Sequence, residues 1–279
     1  MKKLIVIGYQ MYFWLISRLL PRYASKKALL LIFTVGRKVK EHGQLKQADE
    51  TIHLPSGAHL FKWNGDGSKS LLLLHGWNGS LTQFDSLFNH FIAQGYTIYG
   101  LSPAGFGPSK QRQSHPGLFI DAVTEAASCI PVSADVAIGH SMGGGALALA
   151  ATKVKIAKQL VLISSPASFF NVLVRFSAVL KLGKRASDSF YHLVEHFIGR
   201  SHNALEVRDA VKALSLPTLL VHDEYDREVP FSDAEHLKRS APLATLYNTQ
   251  GLGHNRILNN ENVVLKIVEQ IEQTSLQNH

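Results

Sequence analysis

In Gly139-His140-Ser141-Met142-Gly143 a serine sits between two glycines, each two positions away. Val136-Ala137-Ile138 ahead of it reads as a short apolar strand, and Gly144-Gly145-Ala146-Leu147-Ala148 behind it reads as a helix of small residues. A serine on such a strand-to-helix elbow projects its hydroxyl clear of the backbone, and glycine is needed wherever a Cβ would meet the adjoining strand or helix. The amides that open the helix point to where an oxyanion would form. The chemistry expected here is nucleophilic catalysis by Ser141. A serine hydroxyl needs a base, and the base needs a carboxylate to orient it. With the nucleophile on an elbow, the expected chain order is serine, acid, histidine. His254, in the glycine loop Gly251-Leu252-Gly253-His254 just ahead of a terminal helix, is in the place of the base. Upstream of it, Asp223, Glu224 and Asp226 are the acids that follow the preceding strand.

The elements that must position these residues alternate along the chain. Residues 51–54 and 59–63 flank Pro55-Ser56-Gly57 as a hairpin, and Asn64-Gly65-Asp66-Gly67 is a turn cluster. Leu71-Leu72-Leu73-Leu74 is the uninterrupted apolar run of a strand buried on both faces. Further strands are expected at 96–101, 159–164, 218–221 and 244–247, with helices at 81–93, 118–130, 233–240 and 257–273. That alternation predicts an α/β fold, a mostly parallel central sheet with helices on both faces. Residues 165–217 break the pattern with helical periodicity and no clear strand. An insertion there is expected to lie over the strand C-termini as a small helical lid, about 166–214. Its aromatics, among them Phe169, Phe170, Phe176 and Phe190, either wall an apolar pocket or pack the lid onto the body. His192 and His196 are four apart, but Glu195 does not complete an H-E-x-x-H pattern, so no metal site is expected.

Composition narrows the rest. A chain of 279 residues, 46% hydrophobic, is long enough for one substantial core. The single cysteine, Cys129, excludes an intrachain disulfide, fits a reducing, cytoplasmic setting, and reads as a core residue. The net charge of +8 is local: residues 1–40 carry nine Lys or Arg and no acid, leaving 20 basic against 21 acidic residues elsewhere. A neutral body gives no support to nucleic-acid binding. Residues 4–20 are almost wholly apolar, with Lys3, Gln10 and Ser17 spaced to form one narrow polar stripe on a helix. This run is at the short limit for crossing a bilayer, and no small-x-small cleavage site follows Arg18. Two readings of residues 1–40 stand: a basic, hydrophobic helical hairpin on an anionic membrane face, or a pair of helices covering an apolar patch of the domain. The expected division is a basic N-terminal segment, 1–48, and a catalytic domain, 49–279.

Four motifs together resemble the α/β-hydrolase superfamily over about residues 50–275: Leu74-His75-Gly76-Trp77, Gly139-His140-Ser141-Met142-Gly143-Gly144, residues 222–230, and Gly253-His254. The resemblance implies the α/β-hydrolase fold and a serine hydrolase that cleaves carboxylic esters through an acyl-enzyme on Ser141. His222, Asp226, Val229 and Pro230 occupy the positions of the family's acid motif, which assigns the acid to Asp226 and leaves Asp223 and Glu224 as turn and surface residues. His254 becomes the base, the backbone amides of Trp77 and Met142 the oxyanion hole, and His75 a brace for its loop. Ser102 departs from the aspartate common at its position. No metal or organic cofactor is implied. The implied substrate is a small-molecule ester, and the aromatic insertion points to an apolar acyl group. Thioesterases, peptidases, C–C hydrolases and acyltransferases share the triad, and a non-catalytic ligand-binding protein on the same scaffold is the alternative of a different class.

Overall fold

A computed structural model describes residues 2–36, 47–65, 67–241 and 243–277. Arg37, Lys38, Lys40 and Asp66, which entered the charge and turn readings, lie outside the described residues, as does the side chain of Lys3. The chain divides into two compact units: residues 2–34 with Phe169–Leu205, and Val35–Ser168 with Glu206–His279.

The larger unit contains an eight-stranded sheet: β1 (Glu50–His53), β2 (His59–Trp63), β3 (Ser70–Leu74), β4 (Thr97–Ser102), β5 (Val136–His140), β6 (Leu160–Ile163), β7 (Thr218–Asp223) and β8 (Ala244–Thr249), in the spatial order 1-2-4-3-5-6-7-8. β2 pairs antiparallel with both β1 and β4, and β3 through β8 run parallel. Leu71 to Leu74 and Val136 to Ile138 are fully buried, as central parallel strands covered on both faces must be. Helices α3 (Asp85–Ala93) and α11 (Glu261–Gln277) cover one face, where Phe84, Phe88 and Phe91 meet Trp63 and the apolar stripe Val263, Ile267 and Ile271. Helices α4 (Pro116–Cys129), α5 (Met142–Ala151), α8 (Val207–Ala213) and α9 (Phe231–Ser240) pack in succession as a second helical layer. Cys129, expected in the core, is half-buried, because it falls on the last residue of α4.

The terminal helix expected over 257–273 is interrupted. A helical turn, α10 (Gly253–Arg256), and a 3-10 turn, Ile257–Asn259, precede α11, with the Asn260 side chain accepting from the Val263 amide. His254 therefore stands on a helical turn, buried, rather than in an open glycine loop.

The smaller unit is helical: α1 (Lys2–Leu19), α2 (Pro21–Phe33), α6 (Phe169–Val179), α7 (Lys184–Ile198) and a 3-10 turn at His202–Leu205. Ala24 and Ala28 have no exposed surface and bring α2 close to α7, where the Ser25 hydroxyl donates to the Ala186 carbonyl at 2.8 Å. Phe33 stacks on Phe197 at 5.3 Å. Ala186, Phe190, Val194 and Ile198 form the buried stripe of α7, four residues apart. Gly199 ends that helix at φ 71°, a left-handed cap suited to glycine. The N-terminal helices thus pack with the insertion helices. No helix among the described residues is long and apolar enough to cross a membrane.

Candidate active site

Each side chain named from the sequence stands at the C-terminal end of a parallel strand: Trp77 after β3, Ser141 after β5, Asp226 after β7 and His254 after β8. Ser141 has φ 52° and ψ −119°, a conformation that costs a non-glycine residue of order 1–3 kcal/mol and survives only where its surroundings impose it. They do so tightly. A Cβ on Gly143 would fall on the carbonyl oxygens of Leu74 and His75, and one on Gly139 would come within 2.6 Å of the Gly144 backbone. The Ser141 amide donates to the Ile163 carbonyl at 2.8 Å, while the Ser165 hydroxyl donates to the Ser141 carbonyl at 3.1 Å. The first intrahelical bond of α5 runs from Gly145 to Ser141, so the Met142, Gly143 and Gly144 amides have no acceptor within the helix.

The loop after β3 closes against this elbow. The Cβ position of Gly76 lies 3.0 Å from Ser141 Cβ and 3.1 Å from His140 Nδ1, so glycine alone admits the Trp77 backbone beside the serine. His75 is buried and donates from Nδ1 to the Gly76 carbonyl at 2.8 Å. Its ring and that of Trp77 both meet Phe106 edge-on, at 5.2 and 5.4 Å. Burial pushes the His75 pKa down to about 4, against the smaller opposing effect of that hydrogen bond. Ser102 is buried, and a Cβ on Gly107 would come within 2.6 Å of its hydroxyl.

The expected acid and the expected base meet. His254 Nδ1 donates to Asp226 Oδ2 at 2.7 Å, and the Asp226 side chain is fully buried. Asp226 Oδ1 accepts from the Glu228 and Val229 amides at 2.8 and 3.0 Å. Burial by itself would raise this carboxyl. Hydrogen bonding from His222 and His254, the charge of His254 and the Val229 amide outweigh it and hold Asp226 well below the usual carboxylate range. His222 Nε2 also stands 2.9 Å from the Val229 carbonyl and 3.5 Å from Asp226 Oδ2, so it clamps the loop that carries Asp226. A histidine that donates from Nδ1 to a carboxylate keeps Nε2 as the basic nitrogen. Among the described residues no hydrogen bond joins that nitrogen to the Ser141 hydroxyl. Glu228 Oε2 stands 3.9 Å from it.

Sequence reasoning missed several participants. Asp223, read as a turn or surface residue, is completely buried and accepts from Tyr225, Thr249 and Leu252, locking the loop that carries Asp226 to the loop that carries His254. Burial acts to raise its carboxyl too, and these bonds bring it below its ordinary value. His140, inside the elbow motif, donates from Nε2 to the His254 carbonyl at 3.0 Å and sets its ring 4.7 Å from the His254 ring. Burial and the neighbouring His254 lower its pKa to about 3, so it is a neutral strut. Nothing in spacing distinguishes a strut histidine from any other, so His140 and Ser165 carry no sequence signal.

The profile of the alpha/beta hydrolase fold family matches residues 69–184. A non-heme chloroperoxidase from Streptomyces lividans is 23% identical over 256 residues, 73% of this chain and 92% of that protein. Among solved structures, an esterase from Pyrococcus furiosus shares 18% identity with a TM-score of 0.64, covering 86% of this chain and 98% of its own. An esterase from Exiguobacterium antarcticum also shares 18%, with a TM-score of 0.59 over 80% and 98% of the two chains. Eight strands in this order, the elbow after β5 and the profile match over residues 69–184 lead to one assignment: the chain has the α/β-hydrolase fold.

Proposed function

We propose that the protein is a serine hydrolase that cleaves carboxylic esters through an acyl-enzyme on Ser141. The observation that carries this reading is the buried 2.7 Å bond from His254 to Asp226, held by His140 against the strand that ends in the Ser141 elbow. In the proposed reaction the Ser141 Oγ attacks the ester carbonyl while its proton passes to His254 Nε2. The amides of Met142 and Trp77 receive the developing oxyanion, and the C–O bond breaks as the imidazolium returns the proton to the departing alcohol. Water repeats the sequence on the acyl-enzyme and releases the acid. Asp226 stays ionised throughout and stabilises the imidazolium. A long hydroxyl–imidazole approach in a site without substrate is common and shortens on binding. Two solved structures of the same fold are named esterases, which supports ester cleavage, and the aromatic residues of the insertion support an apolar acyl group as the substrate class.

A fluorophosphonate probe should label Ser141, and nitrophenyl esters of increasing chain length should show which acyl group is preferred. Ser141→Ala should lose about 10⁴-fold or more in turnover. An unlabelled protein, or a variant that keeps its activity, would leave a ligand-binding scaffold in place of an enzyme.

A further inference from the structure

Helix α1 is turned inside out for a protein surface in water. Its polar stripe faces inward: Gln10 Nε2 donates to the Val179 carbonyl at 3.0 Å, and the Ser17 hydroxyl accepts from the Gly183 amide at 2.9 Å. Of its large apolar side chains, Phe13 is buried, while Met11 and Leu19 are each 68% exposed and Leu15 is 51% exposed. An amphipathic helix in water buries the opposite face. Cations surround the exposed face. Arg18 lies over the exposed Trp14 ring at 4.3 Å and Lys27 over Tyr23 at 5.4 Å, with Arg22 and Lys26 exposed beside them. Residues 1–40 contain no acid to neutralise these charges. Between α1 and α2 runs an apolar groove floored by Tyr9, Tyr12, Leu30 and Leu31, with Lys27 on its rim.

We propose that this face lies in the headgroup–acyl boundary of an anionic bilayer leaflet. The apolar side of α1, 18 residues and about 27 Å long, would sink between the acyl chains. Trp14, Tyr9 and Tyr12 sit at interfacial depth, and Arg18, Arg22, Lys26 and Lys27 meet the lipid phosphates. The helix lies along the surface and does not cross it, because Gln10 and Ser17 hold one side to the connection between α6 and α7. A second copy of the chain fits this face less well, since pairing two such faces brings cation against cation with no acid from residues 1–40 between them.

The test is flotation of the full chain with vesicles of equal parts phosphatidylglycerol and phosphatidylcholine, against phosphatidylcholine alone. Binding is expected on the anionic vesicles, weakened by salt and weak without the anionic lipid. K26Q/K27Q should lower the partition coefficient about thirtyfold, roughly fivefold for each charge. M11S/L15S/L19S should lower it about a hundredfold or more through lost apolar burial. Both variants should keep the parent's melting temperature and its rate on a soluble short-chain ester, which separates this proposal from the fate of the esterase reading. Absence of flotation by the parent chain overturns it, as does flotation that neither variant weakens. So does a stable dimer that M11S/L15S/L19S dissociates while the parent ignores anionic vesicles.

Discussion

His75 and His140 are expected to make the protein labile in mild acid, well above the pH at which carboxylates protonate. Both are buried and neutral in the fold, with pKa values lowered to about 4 and about 3, whereas an unfolded chain returns them to about 6.5. Their contribution is therefore complete above the unfolded value. It is lost as pH falls below 6.5, because the unfolded chain then takes up protons that the folded one refuses. From pH 7 to pH 5 each histidine gives up about 2 kcal/mol, so the pair removes about 4 kcal/mol, a large part of a typical stability of 5–15 kcal/mol. Asp226 and Asp223 act in the same direction, but only below the ordinary aspartate range, so they leave this window clear. Urea unfolding at pH 7, 6 and 5 measures the loss. His75→Asn, whose amide can replace the Nδ1 donor to Gly76, should abolish about half of the pH slope. A stability that is level from pH 7 to 5, or a slope that survives replacement of both histidines, would refute the reasoning.

Three further outcomes are expected. Asp226→Asn, which removes the charge opposite His254 and permits the wrong imidazole tautomer, should reduce turnover about 10⁴-fold, read in a steady-state ester assay of folded protein. Gly143→Ala drives a methyl group into the Leu74 and His75 carbonyls, so it should destabilise the fold by about 1–3 kcal/mol or abolish soluble expression, as thermal melting would show. Glu228 is 63% exposed and 3.9 Å from His254 Nε2, a screened contact, and Glu228→Gln should change kcat/KM by less than about fivefold.

What could be read without coordinates was whatever is encoded by local spacing. The elbow, the leucine run of β3 and the alternation of strands with helices each follow from residues within a few positions of one another, where steric exclusion and burial act directly. The loop after β8 offers a single histidine, His254, but the loop after β7 offers several acids, and it is the resemblance to the family's acid motif, not spacing, that picks out Asp226. The contacts that join them come from residues far apart in sequence. His140 reaches the His254 backbone across 114 positions, and Asp223 reaches Leu252 across 29. A hydrogen bond of that kind depends on strand order, which no periodicity reports. The N-terminal helix makes the same point in reverse. Its polar stripe was visible in the residues, but a stripe has no built-in direction, and only the packing of Gln10 and Ser17 against Val179 and Gly183 decided that it faces inward.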